Sequence, residues 1–195
     1  MKRTLIFSLL TAAIFDTAVI SQGAIAADQT APRESISDWM FSLSRHKEFE
    51  PVSNATWAEE CGACHLAYPP GTLPSASWNR LLTADALAHH FGENAELDDD
   101  TLKIVRDYAV ANAAETSYSK RARKIAHATS TGEAPLRITE IPYIRRMHHE
   151  IPAKMITGND KVKSLSQCNA CHTQADQGVF DDDTVRIPGY ENWED

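Results

Sequence analysis

All four cysteines of the chain fall in two pentapeptides, CGACH at 61–65 and CNACH at 168–172, and in each a histidine directly follows the second cysteine. A Cys-x-x-Cys pair alone is ambiguous, because it serves a disulfide, a dithiol redox centre or half of a zinc site. None of those uses calls for the histidine; covalent haem does. Two intervening residues put both sulfurs on one helical turn under one edge of a porphyrin, where they form thioethers to its vinyl groups. The next residue then points at the iron and supplies an imidazole. Cys61 and Cys64 with His65, and Cys168 and Cys171 with His172, therefore predict two covalently bound c-type haems, with no cysteine left over.

Each iron has a second axial position. Residues 173–195 contain neither His nor Met, so the later haem must draw its second ligand from upstream. The flanks differ as well, LAYPPG after the first motif and TQADQG after the second, so the halves are not copies of one module. The candidates are His46, His89, His90, His127, His148 and His149, against Met40, Met147 and Met155 beyond the leader. The excess of histidine favours two imidazoles per iron, which sets lower potentials than a His/Met pair.

These side chains need elements to hold them. Residues 77–92 read as a helix that Ser75 or Ser77 can cap and Gly92 can stop. Leu82, Ala86 and His90 share one row of it and Leu82, Asp85 and His89 the adjacent row, so periodicity leaves His89 and His90 both open. Residues 101–115 predict an amphipathic helix with Leu102, Val105, Tyr108 and Ala109 on one face. Asp98, Asp99 and Asp100 suit its positive end, and its apolar face is expected to pack on the first haem. Residues 117–128 read as a short basic helix containing His127. Its Lys120, Arg121, Arg123 and Lys124 form a solvated face, with an acidic partner or haem propionates as functional alternatives. In 139–151, Thr139 can cap and Pro142 suits a first turn. Ile144, Met147, His148 and Ile151 fall on one apolar face, while His149 falls beside Arg145 toward water. His148 is thus the better ligand, and Met147 is expected to pack. His46, in the polar stretch SRHKEFEP, reads as a surface residue.

The N-terminus has the form of a secretory leader: Lys2 and Arg3, an apolar run from Leu5 to Phe15, and Ala24-Ile25-Ala26 as a cleavage site over residues 1–26. Asp16 interrupts the run, and no later stretch approaches the ~20 apolar residues of a membrane span. The expectation is a soluble, exported protein. Its net charge of -8 argues against nucleic acid as a partner. The acidic runs 98–100 and 181–183 read as solvated loops. The predicted organisation is a haem region over 27–125 and a second over 126–195, mainly α with long irregular loops.

Several stretches together resemble the bacterial dihaem cytochromes c of the DHC type: WAEECGACHLAYPPGTLPSASW at 57–78, HFGENAELD at 90–98, PLRITEIPYIRRMHHEI at 135–151 and CNACHTQADQGVF at 168–180. The resemblance implies a periplasmic electron carrier whose N-terminal part is similar to a class I cytochrome c, followed by a less regular haem region. It implies as partners a membrane b-type cytochrome and a small oxygen-binding monohaem cytochrome. Carried over by residue, it assigns His90 and His148 as distal ligands, with His149 standing where a basic residue is expected. The pairs are then His65 with His90 and His172 with His148. With both irons six-coordinate the protein is expected to be an electron-transfer protein and not an enzyme. The alternatives are a dihaem enzyme or sensor with one open iron for peroxide, oxygen or nitric oxide, and an electron-entry subunit of a periplasmic reductase.

Overall fold

The computed structural model describes residues 48–190 and Trp193. The leader, Met40 and His46 lie outside the described residues. Regular structure among those described is helical, joined by irregular connections, with two isolated bridges, His90 to Glu93 and His172 to Val185. The helices are α1 (Ala55–Gly62), α2 (Ser75–Leu81), α3 (Ala84–Ala88), α4 (Asp99–Ala111), α5 (Lys120–Ala128), α6 (Pro142–Met147) and α7 (Cys168–Cys171).

Side-chain caps explain most of the starts. The Asn54 side chain accepts from the Trp57 N–H at 2.8 Å to open α1. Asp98 accepts from the Asp100 and Thr101 amides at α4, with Asp99 and Asp100 in its first turn. Ser119 accepts from the Ala122 N–H at α5. The helix predicted over 77–92 is instead two. Leu82 leaves helical geometry (φ -98, ψ 61), and the Thr83 hydroxyl accepts from the Ala86 amide, capping a new helix. Neither serine caps α2: Pro74 is its N-cap, and the Ser75 N–H donates to the Glu115 carboxylate at 2.9 Å.

The helix α4 is the centre of the core. Leu102, Val105 and Ala109 are buried on one face, as the periodicity predicts, and α4 packs on α1 and α2. Between them Trp57 and Trp78 meet edge to face at 5.3 Å. Their indole N–H groups donate to the carbonyls of Tyr68 and Pro70, so large apolar area is buried without orphaning a donor. Ala122 and Ile125 of α5, with Ile141 and Tyr143, close this cluster, which runs from Phe49 to Tyr143.

Beyond Tyr143 the buried apolar residues Met155, Val162, Ala175, Val179 and Ile187 do not join it. That part is tied down by backbone bonds. The Glu48 and Phe49 N–H groups both donate to the Gly178 carbonyl, at 2.9 and 3.0 Å. Residue 178 must be glycine: its φ is +76, and a Cβ there would stand 2.2 Å from the Phe49 carbonyl oxygen.

Candidate functional site

The first pentapeptide begins in the last turn of α1 and leaves it, with Cys61 in the helix and Cys64 and His65 just beyond. The His65 Nδ1 lies 2.7 Å from the Leu66 carbonyl oxygen. A carbonyl only accepts, so Nδ1 carries the hydrogen and Nε2 keeps its lone pair. Facing it is His90. The chain reverses immediately after His90, with Phe91 at φ 55 and Gly92 at φ 106, and the His90 carbonyl accepts from the Glu93 N–H. A phenylalanine in the left-handed region is unusual, and it is held there: its ring lies 4.8 Å from the His90 ring, and the Arg137 guanidinium covers it at 3.9 Å. The His65 and His90 ring centroids are 6.3 Å apart with planes inclined 24°. Burial, then the neighbouring His65 and Arg137, lowers the pKa of His90, keeping its ring neutral. A cleft of about 430 Å³ lined by Arg80, Phe91, Glu133 and Arg137 adjoins this turn, but neither imidazole lines it.

The second pentapeptide is its own short helix: α7 places Cys168 and Cys171 on one turn, and His172 caps its end. The last part of the chain pins it from outside. The Arg186 N–H donates to the Cys171 carbonyl at 2.8 Å, and the Thr173 hydroxyl donates to the Thr184 carbonyl at 3.0 Å. Across from His172 stands His148, at the C-cap of α6, with centroids 6.1 Å apart and planes inclined 72°. The His148 Nδ1–H donates to the Ile144 carbonyl at 2.8 Å, so Nε2 is again the free nitrogen. Burial, then His148 and Arg121, pushes the pKa of His172 down to about 4.

The neighbouring histidines are placed otherwise. His89 and His149 are exposed, and their Nδ1–H groups donate to the Asp85 and Arg146 carbonyls. His127 is exposed on α5. The predicted packing of Met147 is not found. It is 37% exposed, because α6 stops there and buries Tyr143 rather than extending the apolar row.

Three residues around the pairs carried no signal of their role in the sequence. Tyr68 stacks on His65 (5.0 Å, 28°), and its hydroxyl donates to the Ser166 carbonyl, two residues before Cys168. Phe180 stands 5.1 Å from the His172 ring and meets Phe49 edge to face. Arg121 turns inward from the basic helix, pairing with Glu48 at 2.5 Å and donating to the Tyr143 hydroxyl at 2.7 Å. Burial outweighs that ion pair at Glu48 and raises its pKa.

Do these residues fit a haem at each site? Two imidazoles bound to opposite sides of one metal, with metal–nitrogen bonds of about 2 Å and rings built from bonds of about 1.33 Å, have centroids roughly 6.3 Å apart. Both pairs stand at that separation. Each also has one ring locked by a carbonyl, the usual outer partner of a metal-bound histidine. The other ring in each pair, His90 and His172, has a buried Nδ1 with no hydrogen-bond partner among the described residues. None of the four cysteines is joined in a disulfide, so all four sulfurs are left for thioether bonds. The donor set fits a covalent haem at each pentapeptide.

Residues 57–180 match the family model described as dihaem cytochrome c, DHC. Among solved structures, the chain is similar to a diheme cytochrome type c from Shewanella baltica OS155, at 38% identity and a TM-score of 0.59 over 72% of this chain and 97% of that one. It is also similar to a diheme cytochrome c from Rhodobacter sphaeroides, at 40% identity and a TM-score of 0.58 over 67% of this chain and 99% of that one. A comparison with curated proteins found no match.

Proposed function

This chain belongs to the dihaem cytochrome c family, with two covalently bound c-type haems, and we propose that within it the protein is a periplasmic carrier of single electrons. It would shuttle them between a membrane b-type cytochrome and a soluble acceptor such as a small oxygen-binding haem protein. The haems supply a one-electron Fe(II)/Fe(III) couple; the rest is the work of the chain. Cys61, Cys64, Cys168 and Cys171 anchor them, His65 and His172 are the proximal ligands, and His90 and His148 the distal ones. The Leu66 and Ile144 carbonyls fix the tautomer and aim of His65 and His148. With two histidines held toward each haem, neither iron would be open to a substrate, and the polypeptide's task would be to set potentials through ligands, burial and nearby charge. The export pattern at 1–26 supports the periplasmic assignment. No helix among the described residues is long and apolar enough to cross a membrane.

The observation that carries this reading is the pairing of each pentapeptide histidine with a distant imidazole at 6.3 and 6.1 Å. It is tested by low-temperature electron paramagnetic resonance of the oxidised holoprotein. Nearly parallel imidazole planes split the iron's dxz and dyz orbitals strongly, whereas nearly perpendicular planes leave them close in energy. Two low-spin signals are expected: a rhombic one from the 24° pair and a more anisotropic one from the 72° pair. His148→Ala should convert the second signal to high-spin iron that binds carbon monoxide when reduced, and His149→Ala should change neither. A high-spin iron in the parent protein, or an opened site in the His149 variant, would overturn the ligand assignment.

A further inference from the structure

The chain carries a net charge of -8, yet one face is cationic. The exposed side of α5 presents Lys120, Arg123 and Lys124, one stripe at i, i+3 and i+4, and α6 adds exposed Arg145 and Arg146. The two helices pack on each other, and their cations meet at one ring: Lys124 Nζ lies 5.4 Å and Arg146 Cζ 5.5 Å from the centroid of Tyr143. None of these five cations forms an ion pair with a described residue. Arg121, on the same helix, turns inward instead and is held by Glu48. The cationic face also has an address. The helix α6 runs directly into His148, which faces His172 at 6.1 Å, so the cations border the later pentapeptide's site.

We propose that the solvent face of α5 and α6 is the docking surface for an acidic protein redox partner, and that electrons exchanged with this partner pass through the later haem. The inference rests on the electron-carrier reading above and adds the port and the charge of the partner. In each encounter one electron crosses, the later iron and the partner's redox centre change oxidation state by one in opposite senses, and no atom or proton moves. A net-acidic carrier would by its total charge avoid such a partner; the local field reverses that. A protein fits this face better than an anionic membrane does. Interfacial helices insert an apolar side beneath their cations, but the apolar side of α5, Ala122 and Ile125, is already buried in the core. Small, charge-steered contacts are usual for transient redox encounters.

The test uses the reduced holoprotein and two one-electron oxidants of opposite charge, ferricyanide and hexaammineruthenium(III), in stopped flow across a salt series. For the parent, the ferricyanide rate is expected to fall as ionic strength rises. In Lys120→Glu/Lys124→Glu/Arg146→Glu it is expected to drop about tenfold at low salt and lose that dependence, while the hexaammineruthenium rate does not drop. Rapid-freeze resonance should show the oxidised signal of the later haem first, and poly-glutamate should inhibit the parent but not the variant. A ferricyanide rate that climbs with salt in the parent, as the net charge alone dictates, overturns the proposal, and so does a variant that behaves like it. A lowered midpoint potential of the later haem with unchanged steering would assign the cations to the haem's own carboxylates instead. Parent protein that binds phosphatidylglycerol vesicles but ignores poly-glutamate would assign the face to lipid. Failure of the carrier reading shows separately, as a high-spin iron in the parent's resting spectrum.

Discussion

Tyr68 makes two contacts of different kinds. Its ring stacks on His65, and its hydroxyl donates to the Ser166 carbonyl, 98 residues away and just ahead of Cys168. Burial raises the phenol pKa well above its ordinary value, so the group stays a donor. Tyr68→Phe keeps the stack and removes a side-chain bond that joins the surroundings of the two pentapeptides. The loss should be about 1 kcal/mol of unfolding free energy, read by denaturant titration of the oxidised holoprotein, with the rhombic resonance signal unmoved. A variant as stable as the parent would show that the two regions do not need this tie. Nothing in the sequence announces the contact. A tyrosine three residues past a haem motif has no periodicity to mark it, and its partner is a backbone carbonyl that any residue supplies. The pentapeptide histidines stand out in the sequence because covalent haem chemistry fixes their spacing. The place of His148 opposite His172 follows from α6, which is helical up to it. Between His89 and His90 the pattern was silent, since the structure decides by a turn at Phe91 and Gly92 rather than by a helical face.

At the scale of elements, what the sequence showed was what local physics decides. The α4 face of Leu102, Val105 and Ala109 and its acidic cap follow from residue types alone. The break at Leu82 does not, because Thr83 is a tolerable helix residue until its hydroxyl takes the Ala86 amide. Arg121 looked like its basic neighbours on α5, and only the packing against Glu48 and Tyr143 separates it from them. The helix α1 depends on a similar local bond. Its first turn is held by Asn54, buried, accepting from Trp57, and its last turn carries Cys61. Asn54→Ala leaves that amide without a partner in the interior, at a cost of about 1 kcal/mol. The expected outcome is a lower thermal midpoint with unchanged visible absorption, because the thioether anchors sit at the other end of the helix. An unchanged midpoint would mean water replaces the cap.

The whole molecule is asymmetric in what stabilises it. From Phe49 to Tyr143 a continuous cluster with two tryptophans at its centre surrounds α4. From residue 144 to 190 the buried apolar side chains do not join that cluster. Apart from Ile144 and Phe180, which pack against it, the segment is tied by hydrogen bonds such as Gly178 to Glu48 and Phe49, Tyr68 to Ser166, Arg186 to Cys171 and Thr173 to Thr184. Ordering a residue costs roughly 1–2 kcal/mol of backbone entropy, and isolated hydrogen bonds return about 1 kcal/mol each. Such a segment needs a large apolar body to fold on, and the later haem is the one its own cysteines hold. Removing the two haems should therefore have unequal effects. Cys168→Ala/Cys171→Ala should loosen the chain beyond Tyr143 while leaving the tryptophan cluster and the first haem's spectrum in place. Limited proteolysis followed by mass spectrometry should place the early cuts between 144 and 190 and recover a resistant haem-bearing fragment ending near Tyr143. Cys61→Ala/Cys64→Ala, which removes a disc from beside the main cluster, should instead lower the global unfolding midpoint without localised cutting. If the first variant resists protease along its whole length as the parent does, the C-terminal segment has an apolar core of its own and the later haem is cargo rather than scaffold.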